Sequence, residues 1–180
     1  MGVPVDPKPV KLFVGMLSSN ARLFDACARR LADEYGPVDL ESEITPWEHS
    51  DYYRDEMGPG LLRKFLCFER LVDPGILPSV KHRTSQRETS FAVHDAACMR
   101  RTVNIDPGYV TESKVVLATT KDFSHRIYIG DRIYAEVTLR YRKDIRAFVA
   151  LEHTYPDFRS PETRAWFARV REHLRDSFRR

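Results

Sequence analysis

At 180 residues, with 42% hydrophobic, 11% aromatic and 31% charged side chains, the chain has the composition of one soluble globular domain, long enough to bury most of its apolar surface. Its 29 basic residues stand against 26 acidic ones, a formal net charge of +3, too mild a bias to argue for nucleic acid on charge alone. Cys27, Cys67 and Cys98 are odd in number, far apart and set in apolar surroundings, which argues against a disulfide framework or a zinc site and for reduced core thiols.

No apolar run approaches the roughly 20 residues that cross a bilayer. Residues 1–11 lack the apolar region of a signal peptide, so no membrane partner is expected and the cytoplasm is the expected compartment. Met1-Gly2 opens a myristoylation pattern that Asp6 breaks, because Ser or Thr belongs there. Pro4, Pro7 and Pro9 make residues 1–10 an extended lead-in to a single globular domain that takes in the rest of residues 1–180.

Residues 11–17 are a short apolar run closed by Ser18-Ser19-Asn20, which predicts a buried strand and then a helix N-cap. Across residues 21–35 the apolar positions Leu23/Phe24, Cys27/Ala28, Leu31 and Tyr35 recur at helical spacing, and Gly36-Pro37 stops the helix. Gly15 ahead of that helix start is a weak phosphate-cradle signal, and neither G-x-x-x-x-G-K-[ST] nor G-x-G-x-x-G occurs, so a plain cap is expected. Residues 38–47 alternate as a strand with one wet face, ended at Pro46. The acid- and tyrosine-rich loop over residues 48–60 offers Asp51, Tyr52, Tyr53 and Glu56 as second-rank site residues.

Residues 61–72 read as a strand from their aromatics and flanking Pro-Gly pairs, and residues 77–99 as a weakly amphipathic helix with Lys81, His82, Arg83 and Arg87 on a solvated face. Near the C-terminus, Ser160-Pro161-Glu162 supplies an N-cap, a first-turn proline and an acid, so a helix runs to about residue 178. Trp166, Phe167, Val170, Leu174 and Phe178 form its core stripe.

Residues 102–141 concentrate the strand signals and the chemically capable side chains. Asp106-Pro107-Gly108-Tyr109 matches a type II turn, with Asp106 opening it and Tyr109 closing it. Residues 114–120 are small or apolar at every position, as in a central strand covered on both faces, and Lys121-Asp122 lies just past its end. Gly130-Asp131 predicts a two-residue hairpin in which Ile129 faces Arg132, Ile127 faces Tyr134 and His125 faces Glu136. A carboxylate beside an imidazole suits a general acid or base and equally an ordinary cross-strand ion pair. In that register Arg126 points away from His125 unless a bulge intervenes.

The segments SDYYRDEMG (50–58), VNIDPGY (103–109), KVVLATTKDFSHRIYIGDRIYAEVTLRY (114–141) and TYPDFRS (154–160) resemble a bacterial and archaeal domain-of-unknown-function family, number four-four-one-six. The resemblance covers nearly the whole chain. It implies a single-domain cytoplasmic protein with no established activity, in a family some of whose members carry an automatic GTP-binding label. Where the family pattern has a tryptophan before Thr-Tyr-Pro-Asp, this chain has His153.

These readings converge on an α+β fold, a mixed, largely antiparallel sheet packed by three helices in the order β-α-β-β-α-β-β-β-β-α. The leading functional expectation is a site for a small anionic or nucleotide-like ligand at the ends of the central strands. There His125 and Glu136 would carry acid/base chemistry, Lys121 and Arg126 positive charge, and Asp106, Tyr109, Asp122 and Ser124 polar contacts. The rival is a non-catalytic RNA- or protein-binding module using Arg132, Tyr134, Arg140 and Tyr141. A metal site of His125, Asp106 and Asp122 ranks below both for want of ligand spacing, and no cofactor is identified.

Overall fold

The computed structural model describes residues 2–49, 54–94 and 99–179. In chain order its elements are β1 (Val10–Ser18), α1 (Arg22–Tyr35), β2 (Val38–Glu41), β3 (Thr45–Pro46), α2 (Arg54–Met57), β4 (Leu62–Val72) and α3 (Leu77–Ser90). There follow β5 (Val93–His94), β6 (Met99–Arg100), β7 (Asn104–Val110), β8 (Lys114–Thr119), β9 (Ile127–Gly130), β10 (Ile133–Arg142), β11 (Ala147–Ala150), α4 (Pro156–Arg159) and α5 (Pro161–Ser177). The main sheet runs β11-β10-β8-β7-β1-β4-β2, with β3 added beside β4 and β9 beside β10. Every strand pairing among the described residues is antiparallel.

β1 is buried along its whole length because it lies between β4 and β7 and is covered on both faces. Its Leu12, Val14 and Met16 meet Phe24, Cys27 and Leu31 of α1 and Val80 of α3. Its Phe13, one residue out of phase, meets Phe65, Phe158, Trp166, Phe167 and Val170 on the other face. The sheet thus carries α1 and α3 on one side and α4 and α5 on the other.

The helix starts follow the capping chemistry expected of them. Asn20 accepts the Arg22 N–H through Oδ1 at 3.1 Å, and Ser160 accepts the Thr163 N–H through Oγ at 3.1 Å. The stripe on α5 is buried at Trp166, Phe167, Val170 and Leu174, whereas Phe178 lies past the helix and is exposed. α3 ends at Ser90, where a helix to residue 99 was expected. The strand expected over residues 38–47 is two, β2 and β3, broken where Ser42 Oγ accepts the Phe65 N–H at 2.9 Å.

Two local expectations are overturned. Asp106-Pro107-Gly108-Tyr109 is not a turn but the middle of β7, in register with β1 through Gly15↔Asp106 and Leu12↔Tyr109. Gly108 serves close packing there: a methyl group would sit 2.3 Å from the Val116 carbonyl oxygen and 2.5 Å from the Phe13 ring. The hairpin also turns one residue later than expected. Asp131 and Arg132 hold φ of 51° and 62°, the left-handed pair of a type I′ turn, and Tyr134 pairs with Tyr128 after a bulge at Ile133/Tyr134.

Candidate functional site

β7 and β8 pair only from Gly108↔Leu117 to Val110↔Val115, and toward the start of β7 the sheet parts. The chain has a backbone reason for this. The Ile105 N–H points away from β1, so Pro107, two residues on, faces the same side and brings no N–H to β8. α3 fills the vacated edge with side chains: Glu88 Oε1 accepts the Ile105 N–H at 2.6 Å, and Lys81 Nζ donates to the Ile105 carbonyl at 3.4 Å. Two charged residues stand where a neighbouring strand would be.

The opening holds a cavity of about 390 Å³. Arg63 of β4 and Asn104 and Asp106 of β7 line its sheet side, Lys81, Ser85 and Glu88 come from α3, and residues 117–121 from the end of β8. Tyr155, Pro156, Asp157 and Phe158 in and before α4, with Trp47, His49 and Arg101, complete the lining. Gly15 of β1 makes room for the Phe65 ring and for Arg63, since a Cβ there would stand 2.9 Å from the ring and 3.1 Å from the guanidinium. That packing role, not a phosphate cradle, is what the glycine before α1 does.

The charges are paired around this space. Lys81 Nζ lies 2.9 Å from Asp106 Oδ1, Arg63 Nη2 lies 2.5 Å from Asp157 Oδ2, and Arg101 reaches Glu88 at 3.3 Å and Glu56 at 2.6 Å. Asn104 links two of the pairs, accepting from Arg101 Nη1 at 2.9 Å and donating to Asp106 Oδ2 at 2.5 Å.

Burial works against Lys81's charge, but the carboxylates of Asp106 and Glu88 outweigh it and hold the ammonium above an ordinary lysine. Burial likewise works against the Asp106 carboxylate, and Lys81, Arg63 and the Asn104 amide outweigh it, so Asp106 titrates below an ordinary aspartate. Glu88 goes the other way: burial raises its carboxyl, and Lys81 and the Ile105 N–H only partly offset the effect.

The expected site residues divide into three groups. Asp106 and Lys121 line the cavity. His125, Arg126 and Glu136 form a cluster behind its rim: Glu136 Oε2 takes His125 Nε2 at 3.0 Å and Arg126 Nε at 2.9 Å. Arg126 therefore does not point away from His125. Both precede β9, where a turn bonding Arg126 N–H to the Phe123 carbonyl frees them from strand alternation. Arg126 also donates to the Lys121 carbonyl at 3.0 Å and to the Tyr155 hydroxyl at 2.6 Å, which ties the cluster to the cavity wall. His153 stacks on His125 with ring centroids 4.1 Å apart.

The third group is scattered. Tyr109 lies on the opposite face of β7, packed beside Leu77, Val116 and Ala118, and Asp122 and Ser124 are exposed in the loop before β9. Glu56 reaches the site as the partner of Arg101, while Asp51, Tyr52 and Tyr53 lie outside the described residues. Of the rival RNA- or protein-binding set, Arg132 and Arg140 are exposed, but the Arg171 guanidinium covers the Tyr141 ring at 3.6 Å. Lys81 is not on a solvated face as expected but buried, and Arg87 is engaged with Glu34 at 2.6 Å. Among the described residues no group of three His, Cys, Asp or Glu side chains is placed to hold a metal ion, and no helix is long and apolar enough to cross a membrane.

Fold and site together define an α+β protein with a charge-lined cavity in a parted antiparallel sheet. The chain belongs to the family described as Domain of unknown function (DUF4416), which matches residues 8–174. No curated protein and no solved structure matches it.

Proposed function

We propose that the cavity between β7 and β8 is a binding site for a small anionic or nucleotide-like ligand. The observation that carries this reading is the way the sheet is held open: Pro107 withholds a donor, and Lys81 and Glu88 satisfy Ile105 in place of a strand. Buried, linked charges around a preformed space of this size suit a small-molecule site. Asp106 and Lys121 contact the ligand in this reading, and Arg126 acts through Tyr155 and the Lys121 backbone. His125 and Glu136 hold Arg126 in place, and His125, the more exposed of the two, is the group available to exchange a proton at the rim. The protein is read as cytoplasmic, with no membrane partner.

The test is a thermal-shift screen of small metabolites on wild type and on Ser85→Trp, which fills the cavity from α3. Ligands that raise the wild-type Tm and leave Ser85→Trp unmoved support the proposal. Equal shifts in both proteins, or no stabilising ligand at all, reject it.

A further inference from the structure

Arg63 lines the cavity as a buried cation with fewer partners than its donors require. A guanidinium carries several N–H donors and does not give up its proton in a protein. Among the described residues Arg63 forms one ion pair, from Nη2 to Asp157 Oδ2 at 2.5 Å, with its side chain 8% exposed. Its Nε is buried without a hydrogen-bond acceptor. An ionic donor held out of water with nothing to accept from it is costly, and such groups are rare away from bound molecules and functional sites.

The guanidinium is fixed in advance. Its Cζ lies 5.4 Å from the centroid of the Phe65 ring, and Nη1 lies over Gly15, where a Cβ would stand 3.1 Å away. Gly15 faces Asp106 across β1 and β7, so the Arg63 head reaches from β4 over β1 toward the cavity. Asp106 is engaged instead by Lys81 at 2.9 Å and Asn104 at 2.5 Å. A planar fork already held in position loses little freedom when an acceptor arrives.

The other cations of the wall differ from Arg63. Lys81 pairs with Asp106, and Arg101 pairs with Glu88 and Glu56. Lys121 is exposed past the end of β8, where water competes for its donors and screens its charge. Arg63 combines burial, a fixed position and donors left open, and charge-assisted bonds made in such surroundings are the strong ones.

We infer that Arg63 anchors an oxyanion of the ligand, a carboxylate or a phosphate, through the donors that Asp157 leaves open. The inference rests on the proposed ligand cavity and names the group its ligand carries. The anchor stands on β4, separated from the β8 end and Lys121 by β1 and β7.

The test is calorimetric titration of the full chain with inorganic phosphate and, separately, with acetate, at constant ionic strength. The side-chain Nε–H signal of Arg63 is followed by NMR in the same titrations. At least one of the two anions is expected to bind and to move that signal, and the one that does so tells phosphate from carboxylate. Arg63→Lys, which keeps the charge and loses the planar fork, should weaken binding about tenfold. Should it fold poorly, the double variant Arg63→Met with Asp157→Leu replaces the ion pair by apolar groups and has the same expected direction.

Anion affinity unchanged in these variants overturns the inference, and so does silence from both anions. Binding lost in Lys121→Gln and kept in Arg63→Lys would overturn it by placing the anchor at the rim. Binding that Ser85→Trp abolishes but the Arg63 variants keep would sink the anchor and leave the cavity as a ligand site. Binding that survives in Ser85→Trp would remove the cavity itself from the account.

Discussion

Glu88 accepts the main-chain N–H of Ile105 at 2.6 Å, so a helix side chain occupies the position of a missing strand partner. Because the amide is buried, Glu88→Ala leaves it without an acceptor and should cost about 1–3 kcal/mol. Glu88→Gln keeps an acceptor oxygen and should cost less. Urea unfolding of the two variants checks the order, and equal losses would mean that this bond is not what holds β7.

The two cavity carboxylates should affect acid stability in opposite senses. Asp106 titrates lower when folded than its unfolded value of about 3.9. Its contribution is complete above that value and is lost as pH falls through the folded one. Glu88 titrates higher when folded than its unfolded value of about 4.3, so the stability it costs grows as pH rises from there through the folded value. Urea midpoints across this range should show Asp106→Asn losing the wild-type fall on acidification, and Glu88→Gln losing the decline on the alkaline side.

Gly108→Ala pushes a methyl group into the Val116 carbonyl and the Phe13 ring. The strain should cost at least about 1–3 kcal/mol, the usual range for overpacking a core. A denaturation midpoint equal to wild type would show that β7 and β8 can move apart.

Glu136 is the buried centre of the rim cluster, its side chain 1% exposed beside Arg126 at 8% and His125 at 19%. Removing it strands the Arg126 charge, so Glu136→Ala should cost about 3 kcal/mol or more, while His125→Ala should cost clearly less. A double-mutant cycle between Glu136 and Arg126 measures the coupling directly.

Arg132 adopts φ 62° in the hairpin, a conformation that favours glycine. Arg132→Gly should raise stability by roughly 1 kcal/mol, read from the unfolding midpoint. A loss instead would mean that the Arg132 side chain contributes more than its backbone strain costs.

What the chain reveals unaided follows from the range of the forces involved. The fold class, the amphipathic α1 and α5, the buried β1 and the two-sided β8 are legible because each rests on periodicity within one element. The Asp-Pro-Gly-Tyr turn signal is real but local, and pairing of β7 with β1 along its length overrides it. His125 and Glu136 meet as expected, although the turn lies one residue later, since both His125 and Arg126 sit in a loop that register does not govern. Lys81 and Glu88 were hidden for a different reason: seven residues apart on a weakly amphipathic helix, they look like a solvated face until the edge of β7 is seen beside them. The trace in the sequence was Pro107 inside an otherwise good strand, a missing donor that something else had to accommodate.

The central claim, that the parted sheet forms the ligand site, is tested most directly by amide NMR during titration with the strongest ligand from the screen. Shifts concentrated at Asn104, Asp106, Thr119, Thr120, Lys121 and Tyr155 are the predicted result. Shifts confined to Arg132, Tyr134 and Arg140, with the cavity amides unmoved, would contradict it.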